Sequence, residues 1–162
     1  MKKILCMFVA AALLSGCSAP VFETMGNVAH VVSTQPPQRQ IQLQFPADAA
    51  IVTASGTDML YLCGDYTISL QTMASGDLAA TVRSLSGYAL PQVTLLETAC
   101  GDHTRYDWVW TAVGETGDVI CRAAVLDDGK HHYCLCVSAD ADDAGELTQV
   151  WNTLFGSFCL ES

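Results

Sequence analysis

The chain has 162 residues, 51% of them hydrophobic, and its 17 acidic and 7 basic residues leave it at −10. Lys2 and Lys3 stand at the extreme N-terminus, and without them the charge falls by two, to about −12. That balance excludes nucleic acid as a partner, because no basic patch can neutralise phosphates. It also opposes direct contact with an anionic bilayer, while the apolar content excludes full disorder and fits one domain with one core.

Lys2-Lys3 form a positive n-region and Ile4 to Leu14 an apolar h-region. The run is too short for a membrane span, which takes about 20 apolar residues. Leu14-Ser15-Gly16-Cys17 follows and resembles the lipobox of bacterial lipoproteins. That resemblance implies a signal peptide over 1–16 and a lipid-modified Cys17 carrying acyl chains such as palmitate. It places the rest of the chain on the extracytoplasmic face of the cell membrane. The anchor supplies membrane affinity, at about 0.8 kcal/mol per buried methylene, so the acidic domain need not touch lipid. Phe22-Glu23-Thr24 and Leu126-Asp127-Asp128-Gly129 also resemble small lipoproteins of gut clostridia, which implies a location and no activity.

Residues 17–46 read as the lipidated cysteine and a tether, with Gln35-Pro36-Pro37-Gln38 favouring an extended spacer. Val28 to Val32 is apolar enough to pair with something. Residues 47–162 read as a single domain. Ala49 to Ser55 is a short strand candidate. Asp58 to Cys63 and Tyr66 to Met73 are two more, joined by the hairpin signal Gly64-Asp65. Ser75-Gly76-Asp77 offers N-cap oxygens. Leu78, Val82 and Leu85 follow at helical spacing, with Gly87 as the stop.

Pro91 marks the next boundary, and Gln92 to Ala99 is a further strand candidate. Arg105 to Val113 alternates, with Tyr106, Trp108, Trp110 and Ala112 on one face that reads as core. Asp118 to Leu126 and Lys130 to Ser138 flank Asp127-Asp128-Gly129, a strong hairpin signal. Asp143 and Glu146 have capping-box spacing. Leu147, Val150, Trp151, Leu154, Phe155 and Phe158 then recur at helical spacing.

The expected fold class is α+β: an antiparallel sheet with a short helix after the first hairpin and a C-terminal amphipathic helix packed on the sheet. Helix, meander and a final helix reading Trp151 to Phe158 resemble the PsbP-like fold over roughly residues 48–160. That fold serves mostly as a binding or assembly module, and no catalytic residue is carried over from it.

Of eight cysteines, Cys6 leaves with the signal and Cys17 takes the lipid. Cys63, Cys100, Cys121, Cys134, Cys136 and Cys159 remain. If Asp128-Gly129 is a two-residue turn, Cys121 and Cys136 face each other and become a candidate disulfide. Buried thiols acting as small hydrophobes are the other reading. His132, Cys134 and Cys136 alternate along one strand and are weak candidates for a soft metal such as Zn or Cu(I). Cys100 and His103 form a second such pair. Strand-borne Cys-x-Cys is not the usual knuckle spacing. Asp140, Asp142 and Asp143 miss the calcium-loop pattern, with Ala144 and Trp151 where ligands belong. Asp102, His103 and Asp107, with Ser84 and Ser86 elsewhere, make no recognisable catalytic set, and no nucleophile elbow or phosphate loop is present.

The functional expectation is a non-enzymatic binding or assembly module. It needs no cofactor, attaches to the membrane through lipid, and meets an envelope protein or a small ligand. The alternative is a metal-handling or thiol-redox lipoprotein using His132, Cys134 and Cys136.

Overall fold

The structure is a computed structural model and describes residues 37–56 and 58–161. The expected signal peptide, Cys17, Phe22-Glu23-Thr24, Val28 to Val32 and the expected tether up to residue 36 lie outside the described residues. Nine strands and two α-helices follow in the order β1 (Ile41–Gln42), β2 (Ala50–Ser55), β3 (Asp58–Cys63), β4 (Tyr66–Ala74), α1 (Leu78–Ser86), β5 (Leu96–Cys100), β6 (His103–Val113), β7 (Asp118–Asp127), β8 (His131–Asp140), α2 (Thr148–Ser157) and β9 (Cys159–Leu160). A 3-10 turn at Leu90–Gln92 stands where Pro91 marked a boundary, so β5 begins later than expected.

Seven strands form one antiparallel sheet in the order β2-β3-β4-β8-β7-β6-β5, and β1 pairs with β9 in a separate ribbon. Residues 39–42, read from sequence as tether, are therefore bonded to the end of the domain. Ile41 pairs with Leu160, and the Arg39 N–H donates to Tyr133 Oη at 2.7 Å.

The expected α+β class needs correction. Among the described residues strand outweighs helix, 49% to 18%, and no helix follows the first hairpin. That hairpin is β2–β3, and the chain passes directly from β3 into β4. The reason is that Gly56 at φ 60° and Gly64 at φ 57° both adopt the left-handed conformation that tight turns require. Two successive hairpins result, whereas only Gly64-Asp65 stood out in the sequence. The helix α1 comes after the third strand of this run. Asp77 caps it by accepting from the Ala80 N–H at 3.1 Å, and the Gly87 N–H bonds Arg83 O at its end.

Two core clusters lie on opposite faces of the sheet. On one face α2 sets Trp151, Leu154 and Phe155 against Ile68, Leu126, Tyr133, Leu135 and Val137. On the other, Val82 of α1, flanked by Leu78 and Leu85, meets Trp108, Trp110, Ala123, Val125, Cys134 and Cys136. The central strand β8 is thus covered on both sides and buried along nearly its whole length. Asp143 and Glu146 do not form a capping box. They lie in a run of turns, Glu146 N–H to Asp143 O at 3.1 Å, and Leu147 at the N-cap of α2 gives no side-chain cap.

The β7–β8 register differs from expectation by one residue of turn. Cys121 lies opposite Ser138, and Cys136 opposite Ala123. The carboxylate of Asp128 accepts the Lys130 and His131 N–H groups at 2.8 and 2.7 Å, which moves the turn centre to Gly129-Lys130. Cys121 and Cys136 become diagonal neighbours on one face.

Candidate functional site

His132, Cys134 and Cys136 do share one face of β8, the face under α1. All three are buried, His132 to 1% exposure. Both imidazole nitrogens are engaged within the fold. Nδ1 shares a 2.7 Å hydrogen bond with Thr81 Oγ1 of α1, and Nε2 lies 3.4 Å from Asp127 Oδ2. Asp127 in turn accepts from Ser75 Oγ at 3.1 Å and the Gly129 N–H at 2.8 Å. Burial pushes the Cys134 thiol up to about 12, and raises Cys136 as well, with the neighbouring Cys121 adding to it. A thiol held neutral is a poor ligand and a poor nucleophile. Metal capture here would require breaking the bond to Thr81 and displacing α1. Among the described residues no group of three or more His, Cys, Asp or Glu is placed to hold a metal ion.

Cys100 and His103 are cross-strand partners at the end of β5–β6. His103 Nδ1 lies 3.0 Å from Asp102 Oδ1, and Asp102 also accepts from Arg39 Nη1 at 2.8 Å. These contacts lower the Asp102 carboxyl, the hydrogen bond to His103 most. Ser86 donates to Val82 O inside α1, and neither Ser84 nor Ser86 bonds His103 among the described residues. The acidic loop gathers Asp140, Asp142, Asp143 and Glu146 near Asp65, and the Asp143 carboxyl is raised by desolvation and then by these neighbours.

Trp108 and Trp110 are stacked with ring centroids 6.0 Å apart, but both are buried beneath α1 in the core. They present no platform to a sugar.

Sequence reasoning passed over the opposite face of β6. There Arg105 and Asp107 form a bidentate pair, Nε to Oδ2 at 2.6 Å and Nη2 to Oδ1 at 3.0 Å. Arg122 of β7 reaches the same Oδ1 at only 3.5 Å, and its guanidinium carbon lies 4.1 Å from the centroid of Phe155 on α2. Their cross-strand partners are Leu96 for Asp107 and Val109 for Arg122, 65% and 54% exposed. The alternation Arg105, Asp107, Val109 was visible, but the aromatic face of the same strand dominated the pattern. At the far edge of the sheet the uncharged β2 is exposed throughout, Ile51 to 63% and Val52 to 58%.

No family model matches the chain, and no curated protein does. Solved structures share its fold. Cyanobacterial PsbP from Synechocystis superposes with a TM-score of 0.58 at 12% identity, over 75% of this chain and 86% of that one. The Ran-binding protein Mog1p of Saccharomyces cerevisiae gives 0.51 at 12%, over 74% and 89%. LpqN, involved in cell envelope biogenesis of Mycobacterium tuberculosis, gives 0.51 at 14%, over 80% and 88%. The chain therefore shares its fold with these three proteins, and at such identities the likeness speaks of fold alone. No described helix is long and apolar enough to cross a membrane.

Proposed function

We propose that this chain is a lipid-anchored extracytoplasmic protein whose folded part is a binding or assembly module rather than an enzyme. One observation carries the reading: its nucleophilic and metal-ligating candidates on β8 are sealed in the core, while uncharged apolar side chains stand on the surface at both ends of the sheet. An open, uncharged edge strand such as β2 offers backbone groups to another chain. Mog1p is named for binding Ran and LpqN for envelope biogenesis. A binding or assembly role on this fold is the kind of role proposed here. The lipobox Leu14-Ser15-Gly16-Cys17 supports the anchor.

The test uses the full chain in bacterial cells. A clickable fatty acid labels the wild type in the membrane fraction, and Cys17→Ala loses both the label and the fraction. Wild-type protein that takes no label overturns the anchor. A photo-crosslinking residue in place of Ile51 yields a discrete adduct with one envelope component, and the same residue in place of Arg83 does not. Turnover of a cell-wall or phosphoester substrate that a point substitution abolishes would overturn the non-enzymatic reading.

A further inference from the structure

We propose that Arg122, seated on Phe155 beside Val109 with Leu96 one strand further out, is the recognition point for a carboxylate borne on an apolar group, as in a peptide segment of a protein partner. The proposal rests on the binding-module reading and names a surface and a chemistry for it.

Beyond Lys2 and Lys3 the chain has five basic residues, Arg39, Arg83, Arg105, Arg122 and Lys130. Two of them flank a single carboxylate, Asp107, on the open part of the α2 face. Arg105 takes both oxygens of Asp107 in a fork, and donates further to Phe158 O at 3.2 Å. That arrangement engages both oxygens of the carboxylate. Arg122 receives only the remnant, a contact at the 3.5 Å limit, and makes no other hydrogen bond among the described residues. The cluster thus carries one unneutralised positive charge in a chain that is acidic elsewhere.

Geometry then selects the ligand. The planar guanidinium lies against the Phe155 ring, which holds it at low entropic cost and leaves its fork of donors for a second planar acceptor. Its side chain is 27% exposed, against 17% for Arg105 and 14% for Asp107, so it is reachable and partly desolvated. A carboxylate matches the fork in a bidentate pair. Val109, directly across from Arg122 on β6, and Leu96, across from Asp107 on the next strand β5, supply apolar surface on one side of that arginine. A ligand that is apolar without charge would leave the guanidinium unpaired, and a free phosphate would find no use for Val109 and Leu96.

The test titrates N-acetyl-leucine into 15N-labelled chain, full length beyond Cys17, and follows the Arg122 side-chain Nε–H signal. The expected result is saturable movement of that signal and of the Val109 amide. N-acetyl-leucinamide and inorganic phosphate should each bind at least about 10-fold more weakly, the scale of one lost charge-assisted pair. Val109→Glu is expected to abolish binding, because the new carboxylate on an already exposed position occupies Arg122 in cis. Arg122→Lys keeps the charge and loses the fork, and should weaken binding by at least about 10-fold. Equal binding of the amide, preference for phosphate, or unchanged affinity in Val109→Glu overturns the proposal, as does the lack of any saturable shift. Each of these results leaves the adduct at Ile51 standing or falling by itself.

Discussion

Thr81 Oγ1 and His132 Nδ1 lie 2.7 Å apart in a fully buried hydrogen bond, the polar link between α1 and the central strand β8. All else between these two elements is apolar packing around Val82, Cys134 and Cys136. Replacing Thr81 by Val keeps the shape and leaves the imidazole nitrogen without its partner. A buried polar atom left unsatisfied costs about 1–3 kcal/mol. The expected outcome for Thr81→Val is a loss of that size in urea unfolding. His132→Ala should cost at least as much, because a cavity is added. A double-mutant cycle should show positive coupling between the two, since one bond is removed by either change.

The buried thiols give a second expectation. Cys134 and Cys136 are raised by burial, so almost no thiolate exists at neutral pH. Iodoacetamide added to native protein at pH 8 is expected to modify Cys100 and Cys159, which are partly exposed, and to leave Cys134 and Cys136 untouched until urea is added. A Cys121–Cys136 bridge would have to form across a diagonal of about 7–8 Å, beyond the usual Cα spacing of a disulfide. Peptide mapping of native protein prepared in air should therefore return Cys136 as a thiol. Rapid native labelling of Cys134 or Cys136 would mean that α1 opens far more readily than its packing implies.

Where the sequence was legible, the reason was periodicity with one dominant face. The Trp151, Leu154, Phe155 spacing marked α2, and Trp108 with Trp110 marked the core side of β6, because large apolar side chains at a fixed period leave few alternatives. The β8 face also emerged correctly as His132, Cys134 and Cys136 together, but their burial on both sides did not, since it depends on strand order. The helix was read over Leu78 to Leu85, where α1 lies, but the strands before it were counted as one hairpin instead of two because Gly56 gave no two-residue hairpin signal. The β7–β8 register slipped because Asp128 acts through its side chain on Lys130 and His131, an interaction that a turn dipeptide does not display. Arg105, Asp107 and Arg122 come from two strands and acquire meaning only once β6 and β7 pair and Phe155 arrives from α2.

That same Asp128 sets a pH dependence. Partial burial raises its carboxyl, but the His131 and Lys130 N–H groups and the Tyr133 hydroxyl outweigh this and leave it below its ordinary value. A carboxyl lowered in the folded state adds stability above its unfolded value, and that stability is lost as pH falls through the folded one. Stability should hold steady down to about pH 4, where an ordinary Asp begins to titrate, and then decline. Asp128→Asn keeps one acceptor oxygen for the turn and cannot titrate. Its unfolding free energy should start lower at pH 7 and show a shallower decline below about pH 4. Equal slopes for the two proteins would assign the acid response to other carboxyls, Asp102 among them.

Asp107 separates folding from recognition at the arginine pair. It is the only carboxylate bonded to Arg105 and Arg122 among the described residues. Asp107→Asn removes a charge between two guanidinium groups and weakens the fork to Arg105. Because Arg105 and Arg122 keep some contact with water, the cost should stay near about 1–3 kcal/mol, below that of breaking a fully buried ion pair. The same change removes the one group that competes with an incoming carboxylate and adds to the local positive charge. Affinity for N-acetyl-leucine should therefore rise several-fold while the urea midpoint falls. Opposite signs in the two measurements are expected only if Asp107 is a structural counter-ion that leaves Arg122 available. A parallel fall in both would show instead that Asp107 orients Arg122 for its ligand.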